Sequence, residues 1–285
     1  MKNYREPYIR KAEIAQLIML HQLYSLSGSQ KLIFQGGTAL RWCYGGSRFS
    51  EDLDFVTPLG ADAVYEKLKR MLKAAEREMV PHFGAGVLTL TDKATRPEAL
   101  KIFADYRPAA SREKIAVKLE FERIRKESLP DTQKLILSAL PAVSYMISSG
   151  NFRVPRPSTV LVVEVLPEIL SDKIRALLER RYLKGRDIFD VWHLRAGLNA
   201  AAEKEIIERK FRMYALPFEP ARDIDFFADP SPEAREEMKT AIREDLSRFL
   251  PPELFAVHQA EGFASFLDVL KSLFVELRKQ RVSLP

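Results

Sequence analysis

The chain has 285 residues, 46% hydrophobic and 29% charged, with 45 Lys and Arg against 39 Asp and Glu for a formal net charge of +6. That length holds one large domain or two modest ones, the composition is that of an ordinary soluble globular protein, and the mild basic excess fits a polyanionic partner such as RNA. One cysteine, Cys43, rules out an intrachain disulfide, the four histidines (His21, His82, His193, His258) have no zinc-ligand spacing, and neither a signal-peptide pattern nor a bilayer-long apolar run is present; a cytoplasmic protein without a membrane partner is expected.

Residues 8–26 read as a helix, with Ile14, Leu17, Ile18, Leu20 and Leu23 forming an apolar stripe that ends at Ser27-Gly28-Ser29. A short apolar strand over 31–35 follows, then Gly36-Gly37, a helix over 37–44, the Gly45-Gly46-Ser47 loop and an acidic strand over 52–56. Successive strand side chains point to opposite faces, so Asp52 and Asp54 share one face while Leu53 and Phe55 share the other. Adjacent carboxylates repel unless a cation sits between them, and an oxygen-rich pair suits Mg²⁺. The two glycines let backbone N–H groups approach a ligand, and a helix N-terminus favours anions. A phosphate cradle beside a carboxylate pair reads as a nucleotide–Mg²⁺ site. That reading fails if Asp52 and Asp54 face away from any cleft, or are buried against a cation of the protein's own.

Gly36-Gly37 followed by Arg48-Phe49-Ser50-Glu51-Asp52-Leu53-Asp54-Phe55 resembles the first motif of the nucleotidyltransferase superfamily. Within it, GGTAL…RFSEDLDF is similar to the AbiEii/MenT-type toxins of type IV toxin–antitoxin systems.

Pro58 and Gly60 break the chain before a helix over 61–79, with Val64, Leu68, Met71 and Leu72 on one side and Lys67, Lys69, Arg70 and Lys73 elsewhere. Residues 84–122 change period and suggest three strands. In the last, IAVKLEF, Ile115, Val117, Leu119 and Phe121 face one way and Ala116, Lys118 and Glu120 the other. Glu120 joins Asp52 and Asp54 if its strand neighbours theirs; it otherwise faces solvent. Glu122 and Asp105 are weaker candidates for a third carboxylate. Residues 126–158, punctuated by Pro130, Pro141, Pro155 and Pro157, read as short strands and loops, and 160–163 as a buried strand. The pattern is helical beyond, which puts a domain boundary near residue 165.

Residues 167–184 read as a helix with Pro167 and Glu168 in its first turn. Lys173 falls within the apolar stripe; it either snorkels outward or points into a cleft toward an anion. A second helix opens at Lys184, with Asp187 and Asp190 on one face; Arg186 either binds a phosphate or pairs with a neighbouring acid, and Asp190 and Trp192 serve equally well as cap and core residues. Helices over 201–214, 231–249 and 260–281 complete the chain, with a Pro/Asp-rich loop at 217–232.

The combination EIL-x-DK…RD-xx-DVW resembles the second conserved block of the AbiEii family. The resemblance implies an α+β, nucleotidyltransferase-like fold of the DNA polymerase β type: a mixed sheet with flanking helices over 1–165, then a helical domain over 166–285 contributing Lys173 and Asp187. It implies catalysis by Asp52, Asp54, Glu120, Lys173 and Asp187. Metal binding, as Mg²⁺ or Mn²⁺, falls to the three carboxylates, and NTP binding to Gly36, Gly37, Arg48, Ser50, Lys173 and Arg186. The expected reaction moves a nucleoside monophosphate from an NTP to RNA, with the 3′ end of tRNA as acceptor, pyrophosphate as leaving group and blocked translation as outcome; a cognate antitoxin is the implied partner. Two other readings stay open: nucleotidylation of a protein or small molecule, and a catalytically silent binding module of the same fold.

Overall fold

The structure, a computed structural model, describes residues 4–153 and 158–285. Pro155 and Pro157, read above as loop punctuation, lie outside the described residues. The chain divides into two compact units, Glu6–Gly46 with Ser50–Glu164, and Val165–Pro285 with Ser47–Phe49 and the described residues ahead of Glu6.

The first unit is built on a seven-stranded mixed sheet. Its strands are β1 (Ile33–Gln35), β2 (Asp52–Thr57), β3 (Gly86–Arg96), β4 (Ala99–Pro108), β5 (Ile115–Arg123), β6 (Thr132–Ile136) and β7 (Val160–Glu164), in the spatial order β3-β4-β5-β2-β1-β7-β6. Pairs β2/β5 and β1/β7 are parallel and the others antiparallel. The helices are α1 (Glu6–Tyr24), α2 (Gly36–Cys43), α3 (Ala61–Phe83) and α4 (Pro141–Ser148). Helix α1 packs on β5 and β7, and α3 on β3 and β4. Phe55 stacks on Phe121 with ring centres 4.9 Å apart and meets Phe34 at 5.4 Å and Tyr24 of α1 at 6.4 Å. Leu53, Phe55, Leu119 and Phe121 therefore form the helix-covered face, each contributing about 1.5–3 kcal/mol by burial. Alternation then sends Asp52, Asp54, Lys118 and Glu120 to the opposite face.

Two elements differ from expectation. Helix α3 continues to Phe83 through Pro81 and stops at Gly84, whose φ of 82° ends the helix while its N–H bonds the Val80 carbonyl. Helix α4 lies where strands and loops were expected, because Pro141 opens it: the first turn needs no N–H from that position.

The second unit contains α5 (Leu166–Glu179), α6 (Gly185–Trp192), α7 (Lys204–Met213), α8 (Asp225–Ala228), α9 (Pro232–Phe249), α10 (Pro252–Ala260) and α11 (Ala264–Lys279). Helix α5 ends at Glu179, short of the expected 184, and Arg180 turns extended. The expected 260–281 helix begins only at Ala264, after Gly262 (φ 61°) and Phe263 (φ 60°), and α10 precedes it where no helix was expected. Helix α6 packs hard on α9: a Cβ on Gly185 would lie 2.3 Å from both the Ala241 carbonyl oxygen and the Ile242 Cα. Phe189, Trp192, His258 and Phe266 form an aromatic cluster with neighbouring ring centres 4.5–5.5 Å apart, so Trp192 is a packing residue.

Candidate active site

The β1–α2 turn and β2 make one construction. Gln35 pairs with Asp54 across the antiparallel β1/β2 ladder, so Gly36 follows directly beside Asp54. Gly36 has φ 78°, and a Cβ there would lie 2.6 Å from Asp54 Oδ2. Glycine is required twice, by the left-handed backbone and by the carboxylate pressed against it. Gly37 and Thr38 are buried in the first turn of α2, and the Thr38 hydroxyl donates to the Asp52 carbonyl.

Parallel pairing of β2 with β5 sets Asp54 opposite Glu120 and Asp52 opposite Lys118. Adjacent strands lie about 4.8 Å apart, so opposed side chains on one face meet. Asp52, Asp54 and Glu120 each offer a carboxylate oxygen within 4.8 Å of the others. Among the described residues this is the set of three carboxylate, imidazole or thiolate groups close enough to share a metal ion. The donors are all hard oxygens, as Mg²⁺ or Mn²⁺ prefers, and Gly36 leaves Asp54 room that any side chain would fill. The residues present fit such an ion.

Two lysines, neither singled out as site residues from the sequence, face the same set. Lys118 Nζ lies 3.4 Å from Asp52 Oδ2 and also contacts Glu120, while Lys101 Nζ lies 2.7 Å from Glu120 Oε2. Burial alone would pull the Lys118 ammonium down, but Glu120, Asp52 and Asp54 outweigh it and hold it above the ordinary lysine value. Burial likewise pushes Glu120 up, and Lys101 and Lys118 outweigh that and leave it below the ordinary glutamate value. A cation of the protein's own thus stands at Asp52, yet Asp52, Asp54 and Glu120 all stay half-buried rather than sealed. Glu122 shares the face of Glu120 one pair further along, opposite Val56, and Asp105 is buried against Lys114 at 3.2 Å; neither joins the set.

The second block forms its own charged network in the helical unit. Lys173, in α5, is buried, with Nζ 3.0 Å from Asp187 Oδ1 and 2.8 Å from Asp190 Oδ2, both acids lying on α6. Arg48 grips Asp190 through two bonds of 2.6 Å, from Nε and Nη2, and is only 4% exposed. Arg180 closes the other end, 2.7 Å from Asp187 Oδ2. Burial would lower the Lys173 pKa, but Asp190 and Asp187 outweigh it and raise it. Burial would raise both acids; Lys173 and Arg180 drive Asp187 far below the carboxylate range, and Arg48 and Lys173 lower Asp190.

Of the residues expected at the nucleotide, Arg48 therefore has its guanidinium fork on Asp190, a fork–fork pair that fixes both groups. Ser50 is buried, its carbonyl accepting from Gln16 Nε2 at 2.6 Å. Arg186 lies over the Phe249 ring at 5.6 Å and also lowers the Asp187 pKa. The site residues thus fall into two groups, the turn and carboxylates of the sheet unit and the Arg48–Asp190–Lys173–Asp187–Arg180 chain of the helical unit.

The family described as "Nucleotidyl transferase AbiEii toxin, Type IV TA system" matches residues 18–269. No curated protein matches. Among solved structures, a Helicobacter pylori protein described as a candidate nucleotidyltransferase is 18% identical with a TM-score of 0.54, covering 97% of this chain and 98% of that one. JHP933 from Helicobacter pylori is 17% identical with a TM-score of 0.54, covering 98% of this chain and 96% of that one. These likenesses show the fold. Among the described residues no helix is long and apolar enough to cross a membrane.

Proposed function

The chain belongs to the AbiEii nucleotidyltransferase toxins of type IV toxin–antitoxin systems, and from that premise we propose that it transfers a nucleoside monophosphate from an NTP to RNA, with the 3′ end of tRNA as acceptor. The acceptor hydroxyl attacks the α-phosphorus, the bond from that phosphorus to the bridging oxygen breaks, and pyrophosphate leaves. Translation stops because the modified end no longer accepts an amino acid. The family implies an antitoxin partner.

The observation that carries the reading is the contact of Gly36 with Asp54, in a strand register that adds Asp52 and Glu120. Mg²⁺ or Mn²⁺ held by Asp52, Asp54 and Glu120 would supply Lewis-acid neutralisation of the charge that shifts between attacking and leaving oxygens. Gly36 and Gly37 offer backbone N–H groups at the start of α2 to the triphosphate, and the family pattern adds Ser50. One of the three carboxylates takes the hydroxyl proton. The family pattern assigns Lys173 to the triphosphate charge and Asp187 to orienting Lys173; the 3.0 Å bond between them supports the second role. Arg48 enters as the residue that fixes Asp190, and Arg186 as a phosphate contact.

The test incubates the protein with each labelled NTP and, separately, total RNA, purified tRNA and protein extract. Label in tRNA, lost in Asp52→Asn, supports the proposal. Label in protein or small molecules moves the acceptor, and undiminished transfer by Asp52→Asn removes the site.

A further inference from the structure

We propose that Lys118 is the resident counter-ion of the carboxylate set, and that a divalent cation binds by displacing its ammonium from Asp52 and Glu120. The inference rests on the metal-site reading above and adds an exchange step to it. Three observations carry it. First, the register puts Lys118 directly opposite Asp52 and one same-face position from Glu120, so the lysine holds the fourth corner of the face whose other three are Asp52, Asp54 and Glu120. Second, its Nζ is 3.4 Å from Asp52 Oδ2 and in contact with Glu120, two of the three groups whose oxygens lie within 4.8 Å of one another. Third, Lys101 balances Glu120 from the β4 side at 2.7 Å, so Glu120 does not need Lys118 to stay ionised.

Charge and space then decide the outcome. Three carboxylates with two lysines sum to −1. Without Lys118 the sum is −2, which matches a divalent ion. An ion held by the set would take the Asp52 and Glu120 oxygens that Lys118 contacts. An ammonium and a dication on the same oxygens repel strongly. The flexible four-carbon stem of a half-buried lysine lets the ammonium leave without moving β5. Lys118 stands at Asp52 and so eases the repulsion between Asp52 and Asp54 until the metal arrives.

The experiment measures Mn²⁺ binding to the full chain by calorimetry and by electron paramagnetic resonance of free Mn²⁺, in the wild type, Lys118→Met, Lys118→Gln and Asp54→Asn. The exchange predicts Mn²⁺ binding on the order of tenfold tighter in both Lys118 variants, with binding lost in Asp54→Asn. Equal or weaker binding in folded Lys118 variants, with a wild-type site still abolished by Asp54→Asn, overturns the exchange and leaves the metal reading intact. No Mn²⁺ binding by any form, with or without NTP, overturns both. A second readout uses the wild type alone: acylation at fixed pH, read by peptide mass, should label Lys118 more when Mg²⁺ is added, because the ammonium is set free. Unchanged labelling while Mn²⁺ binds would also overturn the exchange.

Discussion

Replacing Lys173 by methionine separates what that lysine does for folding from what it does for chemistry. The wild-type network has three cations, Arg48, Lys173 and Arg180, on two acids, Asp190 and Asp187. Each Lys173 contact, at 3.0 or 2.8 Å, is worth roughly 5–6 kcal/mol of gross attraction at an effective dielectric constant near 20. Against that stand the desolvation of a buried ammonium, several kcal/mol, and repulsion from Arg48. In Lys173→Met both acids keep a guanidinium, Asp190 at 2.6 Å and Asp187 at 2.7 Å, so no buried charge is orphaned and the sum becomes neutral. The expected loss is about 1–2 kcal/mol, that of charged hydrogen bonds rather than of a broken buried pair. Arg48→Met, which takes the fork from Asp190 and leaves it on Lys173 alone, should cost about 3–5 kcal/mol. Urea unfolding followed by circular dichroism measures both variants, and nucleotide transfer measures the first, with a fall of at least about a hundredfold expected if Lys173 neutralises the triphosphate. The reasoning is refuted if Lys173→Met costs as much stability as Arg48→Met, because the lysine would then be a structural keystone.

Gly36→Ala should cost about 1–2 kcal/mol for its left-handed backbone and should also drive Asp54 away, with its Cβ due 2.6 Å from Oδ2; loss of Mn²⁺ binding in a still-folded chain is the readout, and retained binding would count against the construction. Gly185→Ala puts a methyl 2.3 Å from the backbone of Ala241 and Ile242, which cannot rotate aside, so a loss at or above the upper end of about 1–3 kcal/mol is expected in urea unfolding. Asp187 and Asp190 have folded pKa values below the ordinary 3.8, so their contribution is present above pH 3.8 and is lost as pH falls through the folded values. The helical signal should hold from neutral pH down to about pH 4 as far as these two acids are concerned; an Asp190→Asn chain that shows the same acid midpoint as wild type would contradict that assignment.

Much of the site was legible because it is local. The alternation of Asp52-Leu53-Asp54-Phe55 and of IAVKLEF assigns faces without knowledge of the fold, and the structure keeps both assignments. What alternation cannot supply is which strands are neighbours. That Glu120 meets Asp54, and that Lys118 faces Asp52, follows from a parallel pairing between segments 66 residues apart, set by the whole sheet order. Arg48 is the clearest case. The resemblance places it at the nucleotide, and its guanidinium is held by Asp190, 142 residues away. Lys173 shows the converse: its place in an apolar stripe left two directions open, and two acids on α6 decide between them. The helix at Pro141 was missed because proline signals a stop in one position and a start in another.

Ser47–Phe49 is made early in synthesis, yet its partners are made late. The Arg48 guanidinium waits for Asp190, and the Phe49 amide for the Phe249 carbonyl, 2.8 Å away in the finished protein. A polypeptide halted at the end of β7 holds every strand among the described residues and still lacks both anchors for the loop that joins the glycine turn to the acids. Cutting the gene at residue 165 would therefore not yield two self-sufficient halves.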